Sequence, residues 1–226
     1  MKHKLFIILL LIFADKLYAQ NHENTNKQQL VGIDLFQLPA TTLSFKYQFA
    51  TNPKLSINSN IGFTVNYANS ADLIGYWTSL NFTDDANALY NKEIENGAFV
   101  NLGVQYNFRN NYEKNHFYIG LYQTNSYIHE IGQQGNDTGS GIVYENVEHW
   151  KYLIGIASNV GYHFRTKKRL QLDFGIQFSK RFNDNGQLYG HENYIPGLGF
   201  NAYNEGNSIY HLIYFNIHYL LKKEQK

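Results

Sequence analysis

Four ionisable residues stand where the chain alternates between apolar and polar side chains, and they are the first candidates for chemistry. Asp34 and Lys46 fall opposite each other if the segments that carry them pair about the short link between them. By the same construction, His163 faces Asp173 across two later segments. Charges in a poorly hydrated interior must be paired, because their desolvation cost is otherwise prohibitive. We interpret these two pairs as structural plugs; the alternative is a gate or a proton path.

The histidines do not follow a metal-binding pattern. The chain has nine of them, and several lie in or near long polar links. No pair has the spacing of a helical HExxH motif, and no tight cluster is typical of zinc ligands. We therefore predict neither a metal ion nor a cofactor.

Aromatic residues are concentrated in two long links, where they alternate with glycine and asparagine. Exposed aromatic rings beside amides and glycines suit adaptable contacts to protein or glycan surfaces. The alternative is that the rings pack on one another and cap the structure beneath them. The candidate binding surface consists of Tyr76, Trp77, Phe82, Tyr189, His191, Tyr194 and Tyr203.

A period-two alternation of apolar and polar side chains defines the elements that position these residues. It divides the chain into eight segments, and helical spacing fits none of them better. In the seventh and most regular segment, the apolar set is Leu170, Leu172, Phe174, Ile176 and Phe178, and the polar set is Gln171, Asp173, Gly175, Gln177 and Ser179. The sequence therefore predicts an all-β fold of eight antiparallel strands.

Short and long links alternate between these strands. Short links follow the second, fourth and sixth strands, whereas links of roughly 69–96, 132–148 and 183–207 follow the third, fifth and seventh. Short turns on one side, long loops on the other and an even strand number are the layout of transmembrane β-barrels of bacterial outer membranes. We predict an up-and-down barrel with short periplasmic turns and long extracellular loops.

Aromatic side chains on the apolar face are sorted to the two ends of the strands. The short-turn set is Phe49, Tyr106, Phe108, Phe117, Tyr162, Phe164 and Tyr219, and the long-loop set is Tyr67, Tyr127, Trp150, Tyr152 and Phe182. Two such girdles are typical of strands that cross a membrane. In a soluble barrel the polar face would meet water, and a solvated surface usually carries about 25–35% charged residues. The polar face here is mainly glycine, amide and hydroxyl residues, so we predict that it lines the interior.

The start of the chain has the pattern of a secretory signal. A short basic stretch precedes an apolar run from Leu5 to Phe13, and Ala19 precedes a plausible cleavage point. Nine apolar residues are far short of the roughly 20 that a spanning helix needs. We predict a signal peptide over 1–19, a barrel over 20–226 and Sec-type export to the bacterial outer membrane.

Composition excludes several classes of protein. The chain contains no cysteine, so a lipoprotein anchor and a disulfide framework are both excluded. Its formal net charge is +1 without a basic run, which gives no reason to expect a nucleic-acid partner.

Several stretches resemble known families. The segments 31–39, 43–49 and 52–57 (VGIDLFQLP, LSFKYQF and NPKLSI) resemble the opening of small outer-membrane β-barrel families of Bacteroidetes-type bacteria. The remaining layout is similar to the eight-stranded OmpA/OmpX class. The resemblance implies a barrel fold and an outer-membrane location, and it carries over no functional residue.

Three functions stay open from the sequence. The preferred one is a non-enzymatic barrel with a plugged polar interior, in contact with outer-membrane lipid or lipopolysaccharide. It would have a structural role or bind a protein or glycan through its loops, as an accessory protein at the cell surface. The second is a lipid A-modifying outer-membrane hydrolase. Ser158-Asn159 resembles the Ser-Asn of lipid A deacylases, but Ile156 stands where that family has a histidine, and without a base the serine is not activated. A narrow channel or small-molecule carrier is the third hypothesis, although eight strands leave little interior space.

Overall fold

Ten β-strands make up the computed structural model of the chain, which describes residues 27–67, 90–112, 114–166, 169–183, 194–201 and 209–223. The strands are β1 (Gln28–Asp34), β2 (Thr42–Ala50), β3 (Leu55–Tyr67), β4 (Tyr90–Asn107), β5 (His116–Asp137), β6 (Ile142–Arg165), β7 (Leu170–Arg181), β8 (Tyr194–Ile195), β9 (Gly199–Asn201) and β10 (Ile209–Lys223). Strands β1 to β7 and β10 are neighbours in that order, and β1 also pairs with β10. The sheet thus closes into an eight-stranded antiparallel barrel, and the predicted fold class is confirmed. Within the described ranges, no helix is long and apolar enough to cross a lipid bilayer.

The polar face of the barrel strands points inward and the apolar face points outward. On β2, Phe45 is 50% exposed whereas its neighbour Lys46 is 7% exposed. The same contrast recurs on β7, where Phe174 is 47% exposed and Asp173 is 1% exposed. A water-soluble barrel would show the opposite arrangement, since burial of apolar area drives its folding. The outer wall is therefore an apolar band around a polar lumen.

The second predicted long link is mostly strand, and the prediction of a loop over 132–148 is wrong. β5 continues to Asp137, β6 begins at Ile142, and the residues between them form a tight turn. β4 likewise begins at Tyr90, inside the predicted link 69–96, and pairs there with Gln134. The alternation of apolar and polar residues is weak in these extensions. A strand that has no apolar face does not require apolar residues at every second position.

Tyr67 lies on the opposite face from the predicted one. It was expected in the outer aromatic girdle, but it is 1% exposed and packs against Tyr194 with ring centroids 4.9 Å apart. The register of β3 against β4 shifts between Thr64 and Tyr67, and Asn66 adopts a φ of 51°. A one-residue irregularity of this kind moves a side chain to the other face of the sheet.

Candidate functional site

An ion pair crosses the barrel lumen between strands that are not neighbours. The Nζ atom of Lys46 on β2 lies 2.9 Å from Oδ2 of Asp173 on β7, and both side chains are buried. The same carboxylate accepts hydrogen bonds from Asn216 Nδ2 at 3.0 Å and from the Tyr118 hydroxyl. His218 Nε2 lies 3.3 Å from Oδ2. These contacts satisfy a charge that would otherwise be costly to bury.

The predicted pair of Asp34 with Lys46 is wrong. The β1–β2 register places Gly32 opposite Lys46, and Asp34 lies beyond the last paired residue of β1 on that side. Asp34 instead accepts hydrogen bonds from the backbone N–H groups of Phe36 at 3.0 Å and Phe215 at 3.1 Å. Its other oxygen accepts a hydrogen bond from Gln37 Nε2 at 2.6 Å. The link between β1 and β2, together with β10, therefore holds Asp34 through neutral donors.

His163 does lie opposite Asp173 in the register of β6 and β7, as the sequence predicts. Its Nε2 atom, however, is hydrogen-bonded to Gln171 Oε1. The ring packs between two other inward-facing histidines, with centroids 5.1 Å from His116 and 5.7 Å from His218. His116, His163 and His218 thus lie on the short-turn side of the ion pair. Lys46 provides the positive charge that balances Asp173.

Two tyrosines that the sequence motifs do not indicate, Tyr118 and Tyr214, complete this layer. The hydroxyls of Tyr118 and Tyr214 are 2.7 Å apart. The ammonium of Lys46 lies 5.9 Å from the Tyr118 ring centroid and 5.5 Å from the Tyr214 centroid, within the range of cation–π attraction. Both residues have the inward parity of their strands, which is the signal that could have identified them. Their partners across the lumen could not be deduced from parity alone.

Amide side chains fill the lumen on the short-turn side of the ion pair. Asn58 Nδ2 donates to Gln105 Oε1 at 2.9 Å and to the Tyr122 hydroxyl at 2.9 Å. Gln105 Nε2 in turn donates to Asn107 Oδ1 at 2.7 Å. These side chains link β3, β4 and β5 to one another and occupy this part of the lumen.

The short-turn end of the barrel is closed by Arg109 and Tyr112, in the link between β4 and β5. Arg109 Nε donates to the carbonyl of Pro53 at 2.9 Å, and its guanidinium carbon lies 4.9 Å from the Tyr112 ring centroid. Burial raises the pKa of the Tyr112 hydroxyl to about 12, and the positive charge of Arg109 opposes this rise only in part. The turn therefore contributes a buried, neutral phenol at neutral pH.

The opposite mouth is filled by a hairpin of β8 and β9, which we call the inserted hairpin (194–201). Its described side chains from Tyr194 to Phe200 are buried. The Tyr194 hydroxyl lies 2.9 Å from Thr42 Oγ1, and the carbonyl of Gly197 accepts a hydrogen bond from Gln177 Nε2 at 3.0 Å. Asn101 Nδ2 approaches the same carbonyl at 3.4 Å. Side chains of β2, β4 and β7 thus hold the hairpin in place.

The inserted hairpin also extends the sheet. β9 pairs with β10 at Tyr210 and His211. These two residues lie on the long-loop side of the residues of β10 that pair with β1. Two apolar clusters fix it there. They are Ile128, Leu153, Ile195, Leu198 and Tyr210, and Ala40, Tyr67, Tyr194, Phe200 and Leu212. The mouth of the barrel therefore contains a small hydrophobic core in an otherwise polar lumen.

Tyr194 was predicted as part of a loop binding surface, and this prediction is wrong. The residue is 1% exposed and packs with Tyr67 and Phe200, so it belongs to the cap of the barrel mouth. The rest of that predicted surface lies outside the described residues: Tyr76, Trp77, Phe82, Tyr189, His191 and Tyr203.

Ser158 faces outward on β6. Its cross-strand partners are Leu121 on β5 and Phe178 on β7. Ile156 and Val160 precede and follow it on the same face. The described outward neighbours of this serine are thus apolar, and none of them supplies a histidine.

Comparisons with known proteins bear on the fold. No protein-family model matches the sequence, and no curated protein matches it. Among solved structures, the chain is similar to a major outer membrane protein from Thermus thermophilus, with a TM-score of 0.50 and 10% sequence identity. The match covers 88% of this chain and 100% of that chain. Together with the polar lumen and apolar wall, this similarity shows that the chain has the fold of a small outer-membrane β-barrel.

Proposed function

We propose that this protein is a closed, non-enzymatic barrel of the bacterial outer membrane that acts through the surface at its long-loop end. The observation that carries the proposal is the inserted hairpin, which occupies the mouth of the barrel and is held by Gln177 and Thr42. The ion pair of Lys46 and Asp173 lies below it in the lumen. An eight-stranded barrel is only wide enough to be filled by its own side chains, so this interior favours a plug over a pore.

At the long-loop end, β6 extends beyond its pairing with β7 and exposes apolar side chains that a partner could contact. β6 pairs with β7 from Gly155 to Arg165, and residues 142–154 of the same strand extend farther. Val143 is 52% exposed, Tyr144 54% and Trp150 57%. Successive side chains of a strand point to opposite faces, so Val143 and Tyr144 expose apolar area on both faces of this extension, which favours an interaction surface. A protein, a glycan or the lipopolysaccharide of the outer leaflet would meet this part of the chain first.

The experiment that tests location and orientation uses single cysteines, because the chain has none. Ser140→Cys lies in the turn between β5 and β6, and Asn52→Cys lies in the short link between β2 and β3. A membrane-impermeant maleimide should label Ser140→Cys on intact cells, and Asn52→Cys only after the outer membrane is permeabilised. Labelling of both variants only after permeabilisation, or recovery of the protein in the periplasm, would overturn the proposal.

The absence of an enzymatic role is tested on lipid A. Because none of the described outward neighbours of Ser158 named above is a histidine, these neighbours supply no base to activate the serine. Mass spectra of lipid A should be identical in a deletion strain, in cells with the intact protein and in cells with Ser158→Ala. A change of acylation that depends on Ser158 would establish the hydrolase instead.

A further inference from the structure

A small cavity lies in the lumen between the ion pair and the inserted hairpin. Its volume is about 30 Å³, which suits one small ion or a very few water molecules and is far below the roughly 300 Å³ of sites for organic ligands. Amide side chains predominate in its lining. The lining includes Asp34, Gln37, Lys46, Asn101 and Asn159.

The charges around this cavity do not balance. The ammonium of Lys46 is bound to Asp173 at 2.9 Å, so this pair is neutral in sum. Asp34 is 2% exposed, and its three donors are Phe36 N, Phe215 N and Gln37 Nε2, all of them neutral. Among the described residues, Asp34 has no cation in direct contact. A buried carboxylate without a counter-ion is costly, and a bound cation relieves that cost.

Three amide oxygens in the lining accept no hydrogen bond from the described part of the chain: Gln37 Oε1, Asn101 Oδ1 and Asn159 Oδ1. For Gln37 the orientation of the amide is fixed, because its nitrogen donates to the Asp34 carboxylate, which cannot donate in return. The nitrogen of Asn101 similarly faces the Gly197 carbonyl. Asn159 is 5% exposed. Native proteins rarely leave buried acceptors without a partner, so these oxygens point to a ligand.

We infer that this cavity binds a monovalent alkali cation through the amide oxygens of Gln37, Asn101 and Asn159, with the carboxylate of Asp34 as its counter-charge. Carboxylate and carbonyl oxygens are the ligands of hard cations. A single positive charge neutralises the single excess carboxylate. Mg²⁺ keeps several waters, which a cavity of this size does not accommodate, and Ca²⁺ sites usually contain more than one carboxylate. The inference concerns the lumen and does not depend on what the long-loop surface binds.

A bound ion at this position would connect two parts of the molecule. Gln37 belongs to the link between β1 and β2, and Asn101 belongs to β4 and contacts the inserted hairpin through Gly197. The ion would thus stabilise the link and the hairpin together. Its effect on stability follows the logarithm of ion concentration once the site is near saturation.

The direct test is a crystal structure of the full folded chain grown in thallium(I) or rubidium salts. An anomalous peak at ligand distance from the amide oxygens of Gln37, Asn101 and Asn159 is the expected result. Density for water alone, with no anomalous peak, would overturn the inference. This measurement needs no variant and therefore does not depend on whether a substitution folds.

A solution test uses the temperature at which the folded barrel loses its detergent-gel mobility. At equal ionic strength, this temperature should be higher in potassium or sodium chloride than in choline chloride. Asp34→Asn and Asn159→Leu should lose the difference, whereas Asn159→Asp should add a second carboxylate and shift the preference to Ca²⁺. The matched control is Thr124→Ala, because Thr124 is buried and faces inward but does not line the cavity. Equal temperatures in all three salts for the wild-type chain would count against the site.

Discussion

Lys46 and Asp173 are separated by 127 positions in the sequence, and their side chains meet at 2.9 Å in the barrel lumen. The strands that carry them, β2 and β7, are not neighbours in the sheet. The contact therefore joins two strands that are three positions apart round the barrel. The contact also divides the lumen into two parts. Amide side chains and histidines fill the part on the short-turn side, and the part on the long-loop side holds the inserted hairpin.

Loss of one partner of this ion pair should destabilise the barrel strongly. Lys46→Met leaves the Asp173 carboxylate buried without its cation, and we expect a loss of about 3–5 kcal/mol in the free energy of unfolding. Asp173→Leu should cost a similar amount because it leaves the ammonium of Lys46 buried without its counter-ion. Urea titration of the refolded protein in detergent micelles or lipid vesicles measures both.

The double variant Lys46→Met/Asp173→Leu tests whether the two charges act on each other. It should be less destabilised than the sum of the single variants by more than about 1 kcal/mol, since it leaves no unpaired charge. Simple additivity of the two single effects would contradict a direct interaction.

Substitution of Gly197 should expel the inserted hairpin. Gly197 has a φ of 79°, and an added Cβ would lie 2.6 Å from the Phe99 ring. We expect Gly197→Ala to make the buried Leu198 accessible. In the background of Leu198→Cys, thiol labelling should be slow in the parent and at least tenfold faster with Gly197→Ala.

Gly139→Ala is the matched control for this experiment. Gly139 also has a positive φ, 77°, but it lies in the turn between β5 and β6, and nothing stands within 4 Å of an added Cβ. It should not change the labelling of Leu198→Cys. Equal acceleration by both glycine substitutions would mean that general destabilisation, and not release of the hairpin, exposes Leu198.

Charged residues introduced on the outer wall should destabilise the barrel in lipid, and the loss of stability should depend on their depth in the membrane. Val160 is 51% exposed in the middle of the part of β6 that pairs with β7, between Ile119 and Ile176, and Leu170 is 44% exposed at the first residue of β7. In lipid vesicles, Val160→Arg should cost about 2–4 kcal/mol and Leu170→Arg only about 0–1 kcal/mol. Urea titration in vesicles measures the difference; equal and small effects would argue against a lipid-facing wall.

Tyr112 should make stability depend on pH in the alkaline range. Burial raises the pKa of its hydroxyl from the ordinary value of 10.0 to about 12. The unfolded chain releases this proton near pH 10, while the folded chain keeps it to about pH 12. The contribution of Tyr112 is therefore complete below pH 10 and is lost as the pH rises from 10 to 12.

The difference between wild type and Tyr112→Phe isolates this contribution, because the other tyrosines are common to both. We expect the stability of Tyr112→Phe to fall less between pH 9 and 11.5, as measured by urea midpoints at each pH. Parallel loss of stability in the two proteins would place the Tyr112 hydroxyl in contact with water.

The sequence by itself determined the eight barrel strands and which face of each points inward. On β7, the alternation around Asp173 and Phe174 is sufficient, because successive side chains of a strand point to opposite faces and only one face can meet an apolar medium. Local parity also placed His163 opposite Asp173, since the short link between β6 and β7 fixes their register.

The tertiary structure decided which inward residues meet. Lys46 lies closer in sequence to Asp34, but the closed barrel brings it to Asp173 across the lumen. The sequence did not predict the register irregularity before Tyr67 or the inserted hairpin around Tyr194 either. Each of them depends on packing between distant segments. Periodicity encodes the face of a residue on its own strand, whereas contacts across a lumen depend on the closure and stagger of the whole barrel.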